Sequence, residues 1–254
     1  MSRDTATAAI GVICKTPKIG DSKTRLHPLL GPARAAELAG CCLLDIVSTI
    51  DSLAPDLGHR GYAVYAPEGS EAELRRFVPD HFGLMCRRDA TLGVVLLGAT
   101  EQLLAAGHDV VVLVNADSPT LPVEYLEQAI AAARAPGDRV VLGPAHDGGY
   151  YLIALKRAHA ALFASIPWST PDVLRLTQKR AHEMELAAHL LPAWYDVDDA
   201  PSLKLLLDEL GGQRPPFAIA AIAASPAPAT RCFLAAHPDI AGRVASFAQS
   251  STPP

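Results

Sequence analysis

The residues best suited to chemistry are cations and carboxylates that follow short apolar runs. The first group is the loop Lys15 to Leu26, which contains three lysines, one arginine and Gly20. Ligands bind at the carboxyl ends of strands in open α/β sheets, and cationic side chains placed there suit phosphate groups. A solvated basic surface loop would have the same composition. The glycine and lysine spacing differs from that of a Walker A loop.

The second group consists of carboxylates. Asp117 follows the apolar run Val110 to Val114, and Asp196 and Asp198 alternate in the segment before a predicted helix. Residues that alternate in an extended segment share one face, and two carboxylates on one face repel each other unless a cation lies between them. Hard oxygen ligands of this kind favour Mg²⁺ bridged to substrate phosphates. Helix capping is the alternative, and it fits Asp199 best.

Two later segments contain candidate residues for binding a second substrate. Gly148 and Gly149 allow the backbone to approach a ligand closely, although the preceding Asp147 makes Asp-Gly an equally strong signal for a hairpin turn. Trp168 and Ser169 could line a pocket. Trp168 could equally belong to the core, and Ser169 could cap the next helix.

These residues need a scaffold of alternating strands and helices. Apolar runs predict strands and helical spacing predicts helices, and their alternation indicates an α/β fold with a mostly parallel sheet. The predicted strands are 8–14, 62–65, 110–114, 140–142 and 150–155. The predicted helices are 32–50, 71–77, 92–106, 125–134, 172–184 and 202–210. Residues 217–254 are expected to form short helices packed on the domain or on a partner.

Composition excludes several classes of function. The chain has 254 residues, a net charge of −5 and no long basic run, so nucleic acid is not an expected partner. Apolar stretches are shorter than the roughly 20 residues of a membrane span, and residues 1–7 lack the pattern of a signal peptide. We therefore expect a cytoplasmic protein. Its five cysteines, an odd number without C-x-x-C spacing, are expected to be reduced and not to bind zinc.

Five motifs in order resemble one family. They are Lys15-Thr-Pro with Lys23-Thr-Arg-Leu; Asp117-Ser-Pro; Gly143-Pro with Asp147-Gly-Gly-Tyr-Tyr; Ile166-Pro-Trp-Ser-Thr; and Asp196-Val-Asp. Together they are similar to the radical-SAM/selenodomain-associated, or arsenosugar-biosynthesis-type, glycosyltransferases. Two of them are also similar to phospholactate guanylyltransferases. The chain departs from the family pattern at Asn115 and Ala116, where Gly-Thr is usual, and in lacking the usual Gln near Arg88 to Gly93.

The resemblance implies a GT-A fold, the Rossmann-like fold of nucleotide-diphosphosugar transferases, over residues 8–210. It does not cover residues 211–254, whose Ala/Pro-rich composition predicts a helical carboxyl-terminal extension. It implies Mg²⁺ or Mn²⁺ bound by Asp117, Asp196 and Asp198. The residues expected to bind the nucleotide are Lys15, Gly20, Lys23, Thr24, Arg25, Asp89 and Gly93.

The leading functional interpretation is transfer of a sugar from a nucleotide-sugar to a small acceptor with a hydroxyl group. Asp147 would be the general base, with His146 as the fallback. The residues expected to line the acceptor site are Gly148, Gly149, Tyr150, Trp168 and Ser169. The alternative is nucleotidyl transfer from a nucleoside triphosphate to a phosphorylated or phosphonate metabolite, with release of pyrophosphate. A nucleotide-binding module without catalysis is a third reading, and a homodimer is compatible with each of them.

Overall fold

The fold is built on one seven-stranded sheet. The computed structural model describes residues 7–88 and 91–250. The strands in chain order are β1 (Ala8–Lys15), β2 (His59–Ala66), β3 (Gly83–Cys86), β4 (Val110–Asn115), β5 (Arg139–Pro144), β6 (Tyr150–Leu155) and β7 (Ala187–Leu190). Their spatial order is β3-β2-β1-β4-β6-β5-β7. Only β6 runs antiparallel to its neighbours among these strands, so the predicted, mostly parallel α/β sheet is confirmed.

Helices cover both faces of the sheet. They are α1 (His27–Asp51), α2 (Glu71–Leu74), α3 (Leu92–Ala105), α4 (Val123–Arg134), α5 (Val173–Glu183), α6 (Ala200–Leu210), α7 (Pro228–Ala236) and α8 (Asp239–Ser250). One apolar core lies between the sheet and α1, α4 and α6, and the other lies between the sheet and α3. Strands buried on both faces explain the continuous Val and Leu run of β4.

Two strands are missing from the sequence prediction. Both β3 and β7 have only four residues and lie at the edges of the sheet, and all four residues of β7 are exposed. Short edge strands have neither a long apolar run nor a clear alternation, so periodicity does not detect them. Helix α2 is also shorter than predicted, since it ends at Leu74 instead of residue 77.

The segment after Gly211 packs on the domain. Both oxygens of the Asp45 carboxylate, on α1, accept hydrogen bonds from the first turn of α7, at 2.9 Å from the nitrogen of Ala229 and 2.8 Å from that of Thr230. Phe233 of α7 and Ile240 of α8 are buried in the larger core. A carboxylate at a helix amino terminus satisfies free N–H groups and favours the helix dipole. This contact fixes α7 against α1.

The candidate residues converge because of the strand directions. β1, β4, β5 and β7 are parallel, so the loops that follow them emerge at the same edge of the sheet. The turn between β5 and β6 lies at this edge too, because β6 returns from it. None of the helices within the described part of the chain is long and apolar enough to cross a membrane.

Candidate functional site

Lys23 lies at the centre of the site. It follows β1 and has a left-handed backbone conformation, with φ 45° and ψ 49°, which is uncommon for a residue other than glycine and costs about 1 kcal/mol. Its side chain is only 3% exposed. Its ammonium nitrogen donates to Oδ1 of Asp117 at 2.5 Å and to the carbonyl oxygen of Val197 at 2.7 Å. Three parts of the chain that are distant in sequence are thereby joined at one nitrogen.

Asp198 completes this centre. Its Oδ1 lies 3.7 Å from the Lys23 nitrogen, so the carboxylates of Asp117 and Asp198 face the same cation. Burial alone would lower the pKa of Lys23, but the two carboxylates raise it above its ordinary value, and the lysine is therefore charged. Asp117 and Asp198 keep 37% and 48% of their side chains exposed. Oxygens of both carboxylates therefore remain accessible to a ligand.

Asp196 belongs to an adjacent polar network. Its Oδ1 accepts a hydrogen bond from the Ser118 hydroxyl at 2.8 Å, and the same hydroxyl lies 3.0 Å from the side-chain oxygen of Asn115. Burial, and then the negative charges of Asp198 and Asp117, raise the pKa of Asp196 to about 7. Within residues 7–88 and 91–250, no group of three or more His, Cys, Asp and Glu side chains has the arrangement of a metal site. The three predicted ligands therefore do not form a ready-made cage.

Helix capping accounts for Asp199 but not for Asp117. The Asp199 carboxylate accepts from the backbone nitrogen of Ser202 at 2.9 Å, and together they form a capping box at the start of α6. The amino-terminal cap of α4, the helix after Asp117, is Pro122 and has no side-chain hydrogen bond. Asp117 instead contacts Lys23, so the capping alternative for Asp117 is wrong.

Four of the other predicted nucleotide-binding residues precede or follow Lys23 in the chain. Lys15, at the end of β1, and Gly20, Thr24 and Arg25, on the segment after it, are all exposed. Arg25 is close enough to Asp198 to act on its pKa. Burial and the charge of Asp117 raise that pKa, Lys23 and Arg25 lower it, and Asp147 raises it. Asp89 lies outside the described residues.

The segment with Asp147 forms the turn between β5 and β6. Oδ1 of Asp147 accepts from the backbone nitrogen of Gly149 at 2.9 Å, an arrangement typical of an Asp-Gly turn. Gly148 has a φ of 92°, and a Cβ at this position would lie 2.2 Å from the carbonyl oxygen of Pro171. Glycine is therefore required at position 148 because of the contact with the Pro171 backbone, whereas the sequence analysis expected a close approach to a ligand. Asp147 is exposed, and its charge reaches Asp198.

Trp168 packs on Gly93, at the start of α3. A Cβ on Gly93 would lie 2.8 Å from the indole, so glycine is required for this contact. The ring of Tyr150 meets the same indole edge-on, with centroids 6.3 Å apart, while Ser169 is exposed beside them. The His146 ring stacks on Phe217, with centroids 5.2 Å apart. Of the predicted acceptor residues, Tyr150 and Trp168 therefore contact each other, and the fallback base His146 contacts Phe217.

Sequence reasoning missed two features of the site. Val197 contributes its carbonyl oxygen to Lys23, and its backbone nitrogen donates to the carbonyl oxygen of Asp117 at 2.9 Å. Backbone contacts of this kind have no residue-type signal. Arg87, after β3, lines a groove beside the site, and the missed strand β3 is the reason that it was overlooked.

Comparisons with known families find similar sequences for part of the chain. Residues 49–170 match the model of a family described as "Uncharacterized protein conserved in bacteria (DUF2064)". Phosphoenolpyruvate guanylyltransferases from two strains of Mycobacterium leprae are 28% identical over 139 residues, which are 52% of this chain and 61% of those proteins. The match therefore covers about three fifths of the length of these curated relatives.

Solved structures show the same fold. A protein from Desulfovibrio desulfuricans G20 described as a nucleotide-diphospho-sugar transferase superposes with a TM-score of 0.78 and 24% identity, covering 93% of this chain and 97% of that one. The CMP:2-keto-3-deoxy-manno-octonic acid synthetase complexed with CTP superposes with a TM-score of 0.53 and 13% identity, covering 82% of this chain and 100% of the other. The chain therefore has the nucleotide-diphospho-sugar transferase fold, as its motifs predicted. The named activities of these similar proteins are all those of transferases or nucleotide-sugar synthetases.

Proposed function

We propose that the chain is a metal-dependent nucleotidyltransferase that joins a nucleoside triphosphate to a small anionic metabolite. The observation that carries the proposal is the Lys23 ammonium held between Asp117 and Asp198, at the edge of the sheet where its basic loop also emerges. Carboxylates with accessible oxygens beside cations are suited to a nucleotide's phosphates and their counterion.

The donor set fits a divalent cation. Asp117 and Asp198 contact the Lys23 ammonium through Oδ1, and both side chains remain partly exposed, so their hard carboxylate oxygens can also bind a metal. Mg²⁺ is usually held by one or two carboxylates together with substrate phosphates. A bound Mg²⁺ or Mn²⁺ would neutralise charge on the reacting phosphates. Asp196, which accepts a hydrogen bond from Ser118, would add a further carboxylate beside the two metal ligands.

The reaction needs few groups from the protein. An oxygen of the metabolite attacks the α-phosphorus, the bond from that phosphorus to the bridging oxygen breaks, and pyrophosphate leaves. Lys23 fixes the two carboxylates in position, and Arg25 and Lys15 can contact the leaving phosphates from the exposed loop. A phosphate or carboxylate nucleophile is already ionised, so no general base is required.

Two findings favour the proposed nucleotidyl transfer over sugar transfer, which was the leading interpretation of the motifs. The sequence relatives with a named activity are guanylyltransferases. In addition, the expected base Asp147 uses one carboxylate oxygen to form its own turn. Both findings fit a reaction centred on Lys23, Asp117 and Asp198.

Sugar transfer is the second candidate, and the position of Asp147 favours it. Asp147 is exposed and close enough to Asp198 to influence its pKa. In this reaction an acceptor hydroxyl attacks the sugar C1, Asp147 takes the hydroxyl proton, and the nucleoside diphosphate leaves. Tyr150 and Trp168 would then line the acceptor side.

The product distinguishes the two candidates. The purified chain is incubated with Mg²⁺, a panel of nucleoside triphosphates and nucleotide-sugars, and small acceptors including phosphoenolpyruvate. Pyrophosphate release with a nucleotidylated product supports the proposal, whereas nucleoside diphosphate release with a glycosylated product supports the second candidate. No product from any pair, with nucleotide binding intact, would contradict both and indicate a binding module.

A further inference from the structure

A groove lies between α3 and the carboxyl ends of β2 and β3, beside the proposed transfer centre. Its volume is about 310 Å³. Val64 and Met85 form its strand side, and Val95 and Ala99 form its helix side. The groove therefore has apolar walls, and its volume is sufficient for one portion of a substrate molecule.

Arg87 brings into this groove a cation that has no ion-pair partner among the described residues. Its Nε is buried and has no hydrogen-bond partner among the described residues, and no described carboxylate forms an ion pair with its guanidinium. Arg134 shows the usual arrangement, since its guanidinium binds Asp109 at 2.7 Å and also the carbonyl oxygen of Leu57. A buried donor without a partner is costly, so the unpaired Nε of Arg87 is a position where a ligand can supply the missing acceptor.

The surroundings of Arg87 favour an anion. Arg88 also lines the groove, and none of its described lining residues is acidic. Val94 and Val95, in the first turn of α3, border the groove as well, and the cap of this helix, Thr91, makes no side-chain hydrogen bond. The amino-terminal end of a helix carries a partial positive charge. Two arginines and this helix end produce a positive potential in the groove.

The groove is close to the carboxylate centre. The backbone nitrogen of Arg87 donates to the carbonyl oxygen of Tyr65 at 2.8 Å, which places Arg87 just beyond the end of β2. Burial raises the pKa of the Cys14 thiol to about 12, and Arg87 and Asp117 both act on it with opposite signs. Cys14 is near the end of β1, so Arg87 and Asp117 lie on either side of the same strand end. One substrate could contact both.

We infer that this groove is an anion-binding subsite, in which the Arg87 guanidinium holds a phosphate or carboxylate group of a substrate. The inference rests on the proposed function for the identity of that substrate. A planar guanidinium can bind such a group through two parallel hydrogen bonds. The anion has two sources, either the phosphate chain of the nucleotide or the anionic acceptor, and the groove's apolar walls would pack against the rest of that molecule.

Binding measurements on Arg87 variants test the subsite and identify the source. Titration calorimetry in the presence of Mg²⁺ uses GTP alone in one arm, and phosphoenolpyruvate with pre-bound GTP in the other. Arg87→Gln should weaken one of the two ligands by roughly 10- to 100-fold, as expected for loss of a charge-assisted, bidentate contact. The matched control is Arg76→Gln, which removes the same charge from an exposed residue outside the groove and should change neither affinity by more than about twofold.

Weaker binding of GTP would identify the nucleotide phosphates as the anion, and weaker binding of phosphoenolpyruvate would identify the acceptor. Equal affinities for Arg87→Gln and Arg76→Gln in both arms, or a wild-type chain that binds neither probe, would overturn the subsite. If Arg87→Gln does not fold, Arg87→Lys serves, because lysine keeps the charge but loses the fork and should still weaken binding.

Activity measurements separate this inference from the proposed function. Pyrophosphate release with unchanged KM values in Arg87→Gln would refute the subsite and leave the function standing. Ligand binding that depends on Arg87, without transfer to any acceptor, would support the subsite and refute the proposed function.

Discussion

The two acidic regions of the crevice are held in different ways. Asp117 and Asp198 face a lysine whose side chain is almost fully buried, and the backbone of Val197 contacts both Lys23 and Asp117. Asp147 is exposed, and its one described hydrogen bond is to the turn that it begins. The first region is a charged centre assembled from segments that are distant in sequence. The second is a local turn whose carboxylate influences the pKa of Asp198.

This difference bears on function. A charged group held among other charges away from water costs folding free energy, so such a centre is expected where chemistry requires it. An Asp-Gly turn needs no function to explain it. We therefore propose that the transfer step depends on Lys23, Asp117 and Asp198, and that Asp147 has at most a role on the acceptor side.

The largest effect is expected from Asp117→Asn. Loss of one carboxylate charge removes a proposed metal ligand and should reduce turnover by about 10³-fold or more. Product release under saturating nucleotide and Mg²⁺ measures it, with circular dichroism to show an intact fold. The control is Asp80→Asn, because Asp80 is fully exposed, lies 3.9 Å from Arg75 outside the proposed site and should keep wild-type turnover. Turnover of Asp117→Asn within tenfold of wild type would remove Asp117 from the reaction.

Gly148→Ala should be the most destabilising change among the glycines compared here. The new Cβ would collide with the Pro171 backbone and force a positive φ on alanine, so we expect a loss of about 3 kcal/mol. Gly20→Ala is the matched control, with a φ of 90° and no atom within 4 Å, and should cost only about 1 kcal/mol. Urea unfolding measures both. Equal losses would show that the contact with Pro171 is not what requires glycine.

Lys23→Met should destabilise the fold by about 2 kcal/mol, because two facing carboxylates lose their cation while remaining partly exposed. Lys18→Met is the control, since the pair of Lys18 with Asp21 is exposed and is worth less than about 0.5 kcal/mol. The comparison uses the free energy of unfolding from chemical denaturation. A Lys23→Met protein as stable as Lys18→Met would mean that the lysine does not hold the centre together.

Asp147→Asn should have the smallest effect. Nucleotidyl transfer to an ionised acceptor needs no base at this position, so kcat should fall less than about tenfold and nucleotide affinity should not change. Steady-state kinetics with the acceptor found in the product screen gives the answer. A fall of about 100-fold or more in kcat at constant nucleotide affinity would instead support sugar transfer with Asp147 as the base.

The sequence predicts the fold better than it predicts the contacts. The five predicted strands and six predicted helices are all present, although α2 ends at Leu74, because hydrophobic periodicity follows burial directly. The edge strands β3 and β7 have no such signal. Because β3 was not predicted, Arg87, which follows it, was not predicted as a candidate site residue either. Prediction therefore fails where burial is weakest.

The site shows the same limit. Spacing and strand order bring Lys23, Asp117 and Asp198 to one edge, but they cannot show that Lys23 inserts between the carboxylates or that Ser118 binds Asp196. Those contacts depend on the directions of the side chains and on the left-handed backbone conformation of Lys23. Gly93 and Gly148 illustrate the point as well, since their described close contacts are with Trp168 and Pro171, residues far away in the sequence.

Manganese binding tests the central claim most directly. Electron paramagnetic resonance would follow free Mn²⁺ as it is titrated into the chain with saturating GTP. The account predicts one tightly bound Mn²⁺ per wild-type chain, at least about tenfold weaker binding in Asp117→Asn and in Asp198→Asn, and wild-type binding in Asp147→Asn. Loss of binding in Asp147→Asn with retention in both other variants would contradict it and move the metal to the turn.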